Sequence, residues 1–303
     1  MGRRYVLMLL VLAALWGASF MFIKIGDREL EPITLVGFRM ALGALTLVPI
    51  VLWKIGARRT VAELRLAAWP LIVTGLLNSA IPIFAITWAE TRIDSGLTAI
   101  IQASAPLFTA LLAIRFSQDE RVHGTRLVGL VVGFAGVALL VGGQPNGSIL
   151  AALAVVFSAV CYAGAGLYAA RRLRGTSPLV TALGALTAAT LATLPIGLFQ
   201  LPEQVTGWKV TASMLTLGIA GTGLAYILYY GLIAGAGASR AILITYLVPT
   251  FALVYGALLL GEPVTAAAVG GLALVLGGVG LGTGAVRPPR RRESCVAGSL
   301  DEA

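Results

Sequence analysis

Long apolar segments recur along the whole chain, and they constrain its fold more than any other feature. A helix needs about 20 predominantly apolar residues to cross the roughly 30 Å hydrocarbon core of a bilayer. Ten segments meet this requirement, at about 5–23, 33–53, 67–88, 95–116, 126–142, 149–170, 178–199, 210–233, 239–260 and 264–285. The connections between them are short and carry most of the charge. The sequence therefore predicts an all-α polytopic membrane protein with ten transmembrane helices.

The composition excludes a soluble protein of this length. Hydrophobic residues make up 58% of the 303 residues and charged residues 12%, whereas soluble domains are about 45–50% apolar and about 25% charged. Two cysteines, Cys161 and Cys295, are too few for a disulfide framework. The sequence contains a single histidine, His123, and no phosphate-binding loop or metal-ligand cluster. We therefore expect no soluble enzyme, no organic cofactor and no metal.

The basic residues predict how the chain is oriented. With the N-terminus inside, 17 of the 22 lysines and arginines fall on the cytoplasmic side, four fall outside and Arg39 falls within the second span. Cytoplasmic loops retain basic residues, so both termini are predicted to be cytoplasmic in a plasma (bacterial inner) membrane. The net charge of +9 is then explained without nucleic acid as a partner. The run at 290–292 is expected to touch anionic lipid.

The two halves of the chain resemble each other in order. Residues 75–108 align without a gap onto 218–251 at an offset of 143, which pairs Pro106 with Pro249. The segment ALGALT at 41–46 recurs at 182–187, an offset of 141. Nearly equal offsets in the same order indicate a duplication of five helices.

An odd number of helices places the second half in the opposite orientation. We predict one five-helix repeat over 1–143, an inverted repeat over 144–286 and a basic cytoplasmic tail over 287–303. Two inverted halves can exchange conformations around a site near the bilayer midplane, which is a basis for alternating access. The pattern favours a transporter, and the alternative is that duplication only enlarged a helical bundle.

Short motifs occur in the order found in a known transporter family. Trp16-Gly-Ala-Ser-Phe20 with Lys24 is followed by Phe38-Arg39, and the proline-centred fourth and ninth spans are followed by Asp119-Glu120-Arg-Val122 and Gly261-Glu-Pro-Val264. Over residues 5–286 the chain resembles EamA-type members of the drug/metabolite transporter superfamily. The resemblance implies ten helices in two inverted units and a central cavity lined mainly by spans 1, 3, 4, 6, 8 and 9. It implies no particular substrate.

Two prolines at equivalent positions point to a pair of cavity residues. A proline inside a helix deprives the carbonyl four residues earlier of its partner, and in hydrocarbon that carbonyl needs another one. These carbonyls belong to Gln102 and Thr245. We hypothesise that Gln102 and Thr245 bind substrate and that Pro106 and Pro249 are hinges. The alternative is a structural kink whose side chain bonds a neighbouring helix.

Aromatic residues and one amide cluster on the spans that the resemblance places around the cavity. An aromatic wall with a few polar groups suits an amphipathic organic solute, whereas any single aromatic residue can equally be part of the core. The aromatic residues are Trp16, Phe20, Tyr162, Tyr168, Tyr226, Tyr229, Tyr230 and Tyr246. Asn78 is added because an amide within a span needs polar partners. From this cluster, Trp16, Asn78, Tyr162, Tyr226 and Tyr246 are predicted to bind substrate.

Charged residues near the spans give opposing indications. Arg39 could contact an anion or carboxylate of the substrate. Alternatively, it could snorkel or brace the preceding acidic loop, and we favour either of these over substrate contact. Lys24 is expected at the membrane interface. No acidic residue is expected deep in a span, because Glu90 and Glu262 fall at helix ends, where Glu262 is expected to cap or brace a neighbouring helix. This disfavours proton coupling through a buried carboxylate.

These observations predict a secondary transporter, an exporter or facilitator of small polar or amphipathic metabolites such as amino acids or their analogues. The alternative is a membrane-embedded enzyme acting on lipid or prenyl substrates, for which Asp119, Glu120 and His123 are the only candidate groups. A channel is poorly supported, since no repeated filter or charged ring is present. Four-spaced glycines at 129, 133, 278 and 282 predict a close helix contact within the chain or in a homodimer.

Overall fold

The computed structural model describes residues 2–116, 125–144, 148–241 and 243–282, and all regular elements within these ranges are helices. In chain order they are α1 (Arg3–Gly26), α2 (Pro32–Ile55), α3 (Ala57–Leu66), α4 (Ala68–Glu90), α5 (Ser95–Gln102 and Ala105–Phe116), α6 (Thr125–Gly142), α7 (Ile149–Arg172), α8 (Pro178–Leu198), α9 (Trp208–Ala236), α10 (Ile244–Leu260) and α11 (Ala266–Gly282). A four-residue helix, Ala238–Ala241, precedes α10.

Most of these helices are long and apolar enough to span a bilayer. In the part of the chain that the structure describes, eight helices meet that requirement, namely α1, α2 and α4 to α9. Helices α10 and α11 are shorter and occupy the predicted ninth and tenth spans. Large apolar side chains such as Leu45, Val131, Leu191 and Leu258 are exposed on the outside of the bundle. The fold is that of a polytopic membrane protein.

The gap between α10 and α11 has a local cause. Gly261 follows α10 with a φ of +69°, a left-handed conformation that commonly ends a helix. Pro263 comes two residues later and cannot donate to a continuing helix. Residues 261–265 are therefore not helical, and α11 begins only at Ala266.

One helix lies where sequence analysis placed a charged loop. Helix α3 follows Gly56, whose φ is +87°. Its Arg59 pairs with Glu63 at 2.7 Å between Nε and Oε1, and Glu63 Oε2 accepts a hydrogen bond from the Ser177 backbone N–H. A four-residue spacing places such a pair on one helix face. Both contacts stabilise a short surface helix before α4.

Wide π-helical turns interrupt α4 at Leu76–Ala80 and α9 at Ile219–Leu224. The first residues of the two turns are related by the same 143-residue offset that aligns 75–108 with 218–251. Such turns are rare and are frequently found at functional sites. A third π-helical turn, at Gly256–Leu260, ends α10.

The four-spaced glycines form a contact within the chain. A Cβ added at Gly129 would collide with the backbone of Gly282, and one added at Gly278 would collide with the backbone of Gly133. The absence of side chains thus lets α6 and α11 pack backbone to backbone. An internal contact accounts for these glycines, and a homodimer stays a prediction.

Candidate substrate cavity

A cavity of about 1060 Å³ lies between the helices, with walls contributed by α1, α2, α4, α5 and α7 to α10 and by one residue each of α6 (Arg126) and α11 (Gly282). Helices α2 and α8 therefore join the six spans implied by the family resemblance. Nearly all of the sequence-predicted site residues line this cavity, namely Trp16, Arg39, Asn78, Gln102, Pro106, Tyr162, Tyr226, Thr245 and Pro249.

Tyr246 is the exception. It packs against an apolar cluster that includes Ile100 and Leu107. Thr245, Val248 and Pro249 share the cavity-facing side of α10, because residues three and four apart lie on one helix face. Tyr246 is rotated about 100° from Thr245 and so leaves that face. The proposed substrate site does not include it.

Gln102 lies where α5 is broken. The helical segment Ser95–Gln102 ends there and a second one, Ala105–Phe116, begins with Pro106 in its first turn, where proline costs no hydrogen bond. The Gln102 Oε1 accepts a hydrogen bond from Ser158 Oγ at 3.0 Å. Among the described residues its amide nitrogen has no such partner. The carbonyl end of the Gln102 amide is thus hydrogen-bonded to α7, and the residue also lines the cavity.

The two prolines do not produce the same backbone. Around Pro249 the helix continues from Ile244 through Tyr255, whereas α5 is interrupted at residues 103–104. The side chain of Ser104 donates to the Ile101 carbonyl at 2.6 Å and so satisfies a backbone acceptor at the break. The hinge prediction therefore rests on a break in α5 and on an internal proline in α10.

Arg39 is directed into the cavity, and the expected brace to the acidic loop is absent. Its side chain is 9% exposed, and its Nε donates a hydrogen bond to Thr222 Oγ1 at 3.0 Å. Thr222 lies in the π-helical turn of α9 and donates in turn to the Leu217 carbonyl at 2.9 Å. Within the described ranges, the only ion pair is Arg59–Glu63. Sequence analysis missed Thr222 because no local signal distinguishes it from other threonines in spans.

Aromatic side chains form one wall of the cavity. Tyr226 and Tyr230 are stacked with their ring centroids 6.0 Å apart, and Trp16 of α1 contacts Tyr229 at 5.3 Å. The Asn78 amide donates to the Tyr226 hydroxyl at 3.3 Å. Asn78 lies in the π-helical turn of α4. The two π-helical turns therefore place polar side chains on this cavity.

Partly buried polar contacts close one end of the cavity, beyond the lining residues Ile23, Ile86 and Ala99. Lys24 directly follows Ile23, whereas Glu90 and Ser95 lie one turn from Ile86 and Ala99. Lys24 donates to the carbonyls of Glu90 and of Ile93, the latter at 2.9 Å. Lys24 is therefore directed inward instead of lying at the interface. We call the contacts of Lys24 with Glu90 and Ile93, together with those of Glu262 with Ser95 and Gly96, the closed end of the cavity.

Glu262 caps α5, as expected from the sequence. Its carboxylate accepts hydrogen bonds from the backbone N–H of Ser95 at 2.9 Å, from the Ser95 hydroxyl at 2.8 Å and from the backbone N–H of Gly96 at 3.2 Å. A carboxylate at a helix N-terminus accepts hydrogen bonds from backbone N–H groups that have no partner within the helix, and its negative charge interacts favourably with the positive end of the helix dipole. This cap ties the residues that follow α10 to the start of α5.

Acidic side chains at the closed end are buried. Glu90 falls at a helix end as predicted, at the end of α4, but that position does not expose it to water, and it is fully buried. The two carboxylate oxygens of Asp27 are also buried without a hydrogen-bond partner among the described residues. Burial raises the pKa of Asp27, which lies just outside α1, to about 8, although the charge of Lys24 opposes this shift.

Several other predicted groups fall in parts of the chain that the structure does not describe. Asp119, Glu120 and His123, on which the enzyme alternative depends, lie outside the described residues, as do Cys295 and the basic run at 290–292. Within the described ranges, no group of three or more histidine, cysteine or acidic residues is placed to hold a metal ion. The expected lack of a metal and of a cofactor stays a prediction.

The family comparison matches the chain twice. A sequence model described as the EamA-like transporter family matches residues 3–142 and again residues 149–283. One solved crystal structure has a TM-score of 0.66 to this chain at 18% identity, covering 95% of this chain and 99% of its own. That likeness shows a shared fold.

Relatives with transporter names align over most of their length. A protein of Archaeoglobus fulgidus named "Uncharacterized transporter" is 26% identical over 269 residues, which are 87% of this chain and 93% of that protein. The "Uncharacterized inner membrane transporter YedA" of Escherichia coli strain K12 is 26% identical over 259 residues, covering 84% of this chain and 82% of that protein.

Proposed function

This chain belongs to the EamA-like transporter family, and from that membership we propose that it is a secondary transporter of small polar or amphipathic metabolites, such as amino acids or their analogues. It acts as an exporter or a facilitator in the plasma (bacterial inner) membrane, with both termini cytoplasmic. The inner-membrane name of the YedA relative and the distribution of arginines support this placement.

The observation that carries the proposal is the cavity with its aromatic wall and few polar groups. Its volume of about 1060 Å³ is just above the range of about 300–1,000 Å³ that is typical of small-molecule pockets. Trp16, Tyr162 and Tyr226 offer apolar ring faces to the body of an amphipathic solute, and the two tyrosines add hydroxyls. Asn78, Gln102 and Thr245 provide polar groups on the cavity walls.

Arg39 is proposed to bind an acidic group of the substrate. A guanidinium has five donors in a rigid fork that matches a carboxylate, and in Arg39 the bond to Thr222 uses Nε alone. The cavity lining contains Arg39 and Arg126 but no acidic residue among those described. A substrate carboxylate would compensate this charge, which agrees with an amino acid or a related metabolite.

Alternating access follows from two inverted halves of five helices each, over 1–143 and 144–286. The two family matches, to 3–142 and 149–283, and the corresponding π-helical turns in α4 and α9 support this division. Rocking of the halves around the cavity would close one end as the other opens. The break before Pro106 and the internal Pro249 would absorb the bending of α5 and α10.

An unbiased uptake assay tests the proposal. Purified protein is reconstituted in liposomes, which are incubated with a bacterial metabolite extract, washed and analysed by mass spectrometry. We expect a few solutes to be enriched over empty liposomes, and a Gln102→Leu variant to lose this enrichment. Gln144→Leu is the matched control, because Gln144 is not among the residues that line the cavity and its amide nitrogen donates to the Leu140 carbonyl of the preceding helix. Absence of enrichment under every imposed gradient would refute transport.

A further inference from the structure

Glu90 is the most anomalous side chain of the structure. It is 0% exposed, and neither of its carboxylate oxygens has a hydrogen-bond partner among the described residues. A buried polar group without a partner is rare in native proteins and calls for an explanation. An ionised carboxylate in such a place is especially costly, and the usual remedy is to bind a proton.

The charges around Glu90 do not neutralise it by direct contact. Lys24 donates to the Glu90 and Ile93 carbonyls, and no salt bridge to the Glu90 carboxylate exists within the described ranges. Asp27 presents a second pair of buried, unpartnered carboxylate oxygens and repels a charge on Glu90. Two carboxyl groups therefore lie near a single lysine. If both were ionised, two negative charges would face one positive charge, so one of the two acids is expected to be protonated.

More distant charged groups on and beside the neighbouring helices also act on Glu90 and Asp27. Arg39 of α2 attracts a negative charge on Glu90, whereas Glu262 at the end of α10 repels it. Glu31, before α2, repels a charge on Asp27, and Asp94, before α5, interacts with Glu262 and Lys24. The pKa of Asp27, raised by burial to about 8, agrees with an acid that holds its proton near neutral pH.

The position of Glu90 couples it to the state of the cavity. It lies one turn beyond the cavity residue Ile86, at the closed end where Lys24 bridges α1 to α4. Separation of α1 from α4 would break the bonds of Lys24 to the two carbonyls. The same movement would admit water to Glu90 and free the Lys24 ammonium to pair with a carboxylate.

We propose that Glu90 and Asp27 form a proton-binding site that is loaded while this end of the cavity is closed and emptied when it opens. On opening, the carboxyl O–H bond breaks, the proton passes to water and the carboxylate pairs with Lys24. On closing, a proton returns from water to the carboxylate. The inference rests on the proposed transport function and identifies the proton as the coupling ion.

Infrared spectroscopy tests whether the site is loaded. In the purified full-length protein at about pH 7, where free acids are ionised, we expect a protonated-carboxyl C=O stretch that disappears as the pH rises. Glu90→Gln or Asp27→Asn should remove or shift this band, whereas Glu203→Gln, in an exposed loop, should leave it unchanged. A parent protein without the band, or variants that both retain it unchanged, would overturn the proposal.

Cysteine labelling tests whether the proton controls opening. In a background with Cys161→Ala and Cys295→Ser, Ile93→Cys reports the closed end, because Ile93 is 4% exposed, and Val205→Cys provides the normalising rate at a residue that is 99% exposed. We expect the ratio of maleimide labelling rates to rise with pH, by up to about tenfold per pH unit for release of one proton. With Glu90→Gln the ratio should stay low and independent of pH.

This assay is performed in detergent and needs no transported solute, so the two proposals fail separately. A pH-dependent ratio without any uptake in liposomes would refute transport and leave the proton site standing. A ratio that is constant in the parent, or equally pH-dependent with both Glu90→Gln and Asp27→Asn, would refute the proton site even where uptake is observed.

Discussion

The Nε of Arg39 in α2 donates a hydrogen bond to the Thr222 Oγ1 in α9, at 3.0 Å. The bond joins two residues 183 positions apart and crosses from the first half of the chain to the second. Thr222 is held by its own bond to the Leu217 carbonyl, which the wider π-helical turn brings within reach. The guanidinium is therefore held at a defined place on the cavity wall.

Replacing Arg39 by glutamine should abolish most uptake of acidic solutes. A hydrogen bond to a charged group is worth about 1.5–3 kcal/mol, so we expect a loss of affinity of at least about tenfold. Concentration-dependent uptake in liposomes, using the solutes that the extract assay enriches, measures this loss.

Thr222→Val is the matched control for this substitution. It removes the partner of Nε but leaves the guanidinium, so uptake should fall by less than with Arg39→Gln. Equal uptake by the Arg39→Gln variant and the parent would show that Arg39 has a purely structural role.

Removing the cap on α5 should destabilise the protein. Glu262→Ala abolishes three hydrogen bonds to the first residues of α5, and loss of a helix cap costs about 0.5–2 kcal/mol. Thermal unfolding in detergent should show a lower Tm than the parent. Glu203→Ala, in an exposed loop, should change stability by no more than about 0.5 kcal/mol; equal effects of the two substitutions would contradict the capping role.

The sequence predicted the features that depend on local pattern. The spans were recognisable because the length of an apolar segment is a local property, and Glu262 was identified as a cap from its place after a helix. The partners of Lys24 were not predictable in this way, since the carbonyls that it bonds lie 66 and 69 residues away. The same limit explains why Arg39 was assigned to the nearby acidic loop instead of to Thr222.

The burial of a residue at a helix end, and the side of a helix that faces the cavity, were also not predictable from the sequence. Glu90 is the last residue of α4, so its position alone suggested access to water, yet neighbouring helices bury it completely. Tyr246 and Thr245 are consecutive, and only the rotation of α10 against its neighbours decides which of them lines the cavity. Both outcomes depend on how the helices pack against one another, and the only sign of that packing in the sequence is the internal repeat.

The contact between α6 and α11 should distinguish two adjacent glycines. A Cβ at Gly278 would collide with the Gly133 backbone, whereas a Cβ at Gly277 meets open space. Gly278→Ala forces the helices apart and should cost about 1–3 kcal/mol. Gly277→Ala should be neutral or stabilising by up to about 1 kcal/mol, since alanine favours a helix. Thermal unfolding of both variants in detergent checks this, and similar Tm values would contradict the close approach of α6 and α11.

The stability of the protein should fall as the pH rises through the range in which Asp27 titrates. The pKa of Asp27 is about 8 in the folded protein against an ordinary value of 3.8, because the carboxyl is buried. Between these values the folded state binds the extra proton, so stability decreases with pH by up to about 1.4 kcal/mol per unit for this one group. Below about pH 4 both states are protonated and the dependence disappears.

Asp27→Asn isolates this contribution, because asparagine has no proton to release. The difference in Tm between the variant and the parent, measured in detergent at steps from about pH 5 to about pH 8, should move in favour of the variant as the pH rises. Glu203→Gln, in an exposed loop, is the control for the loss of one acidic side chain. A difference between Asp27→Asn and the parent that does not change with pH would mean that Asp27 is already ionised in the folded protein.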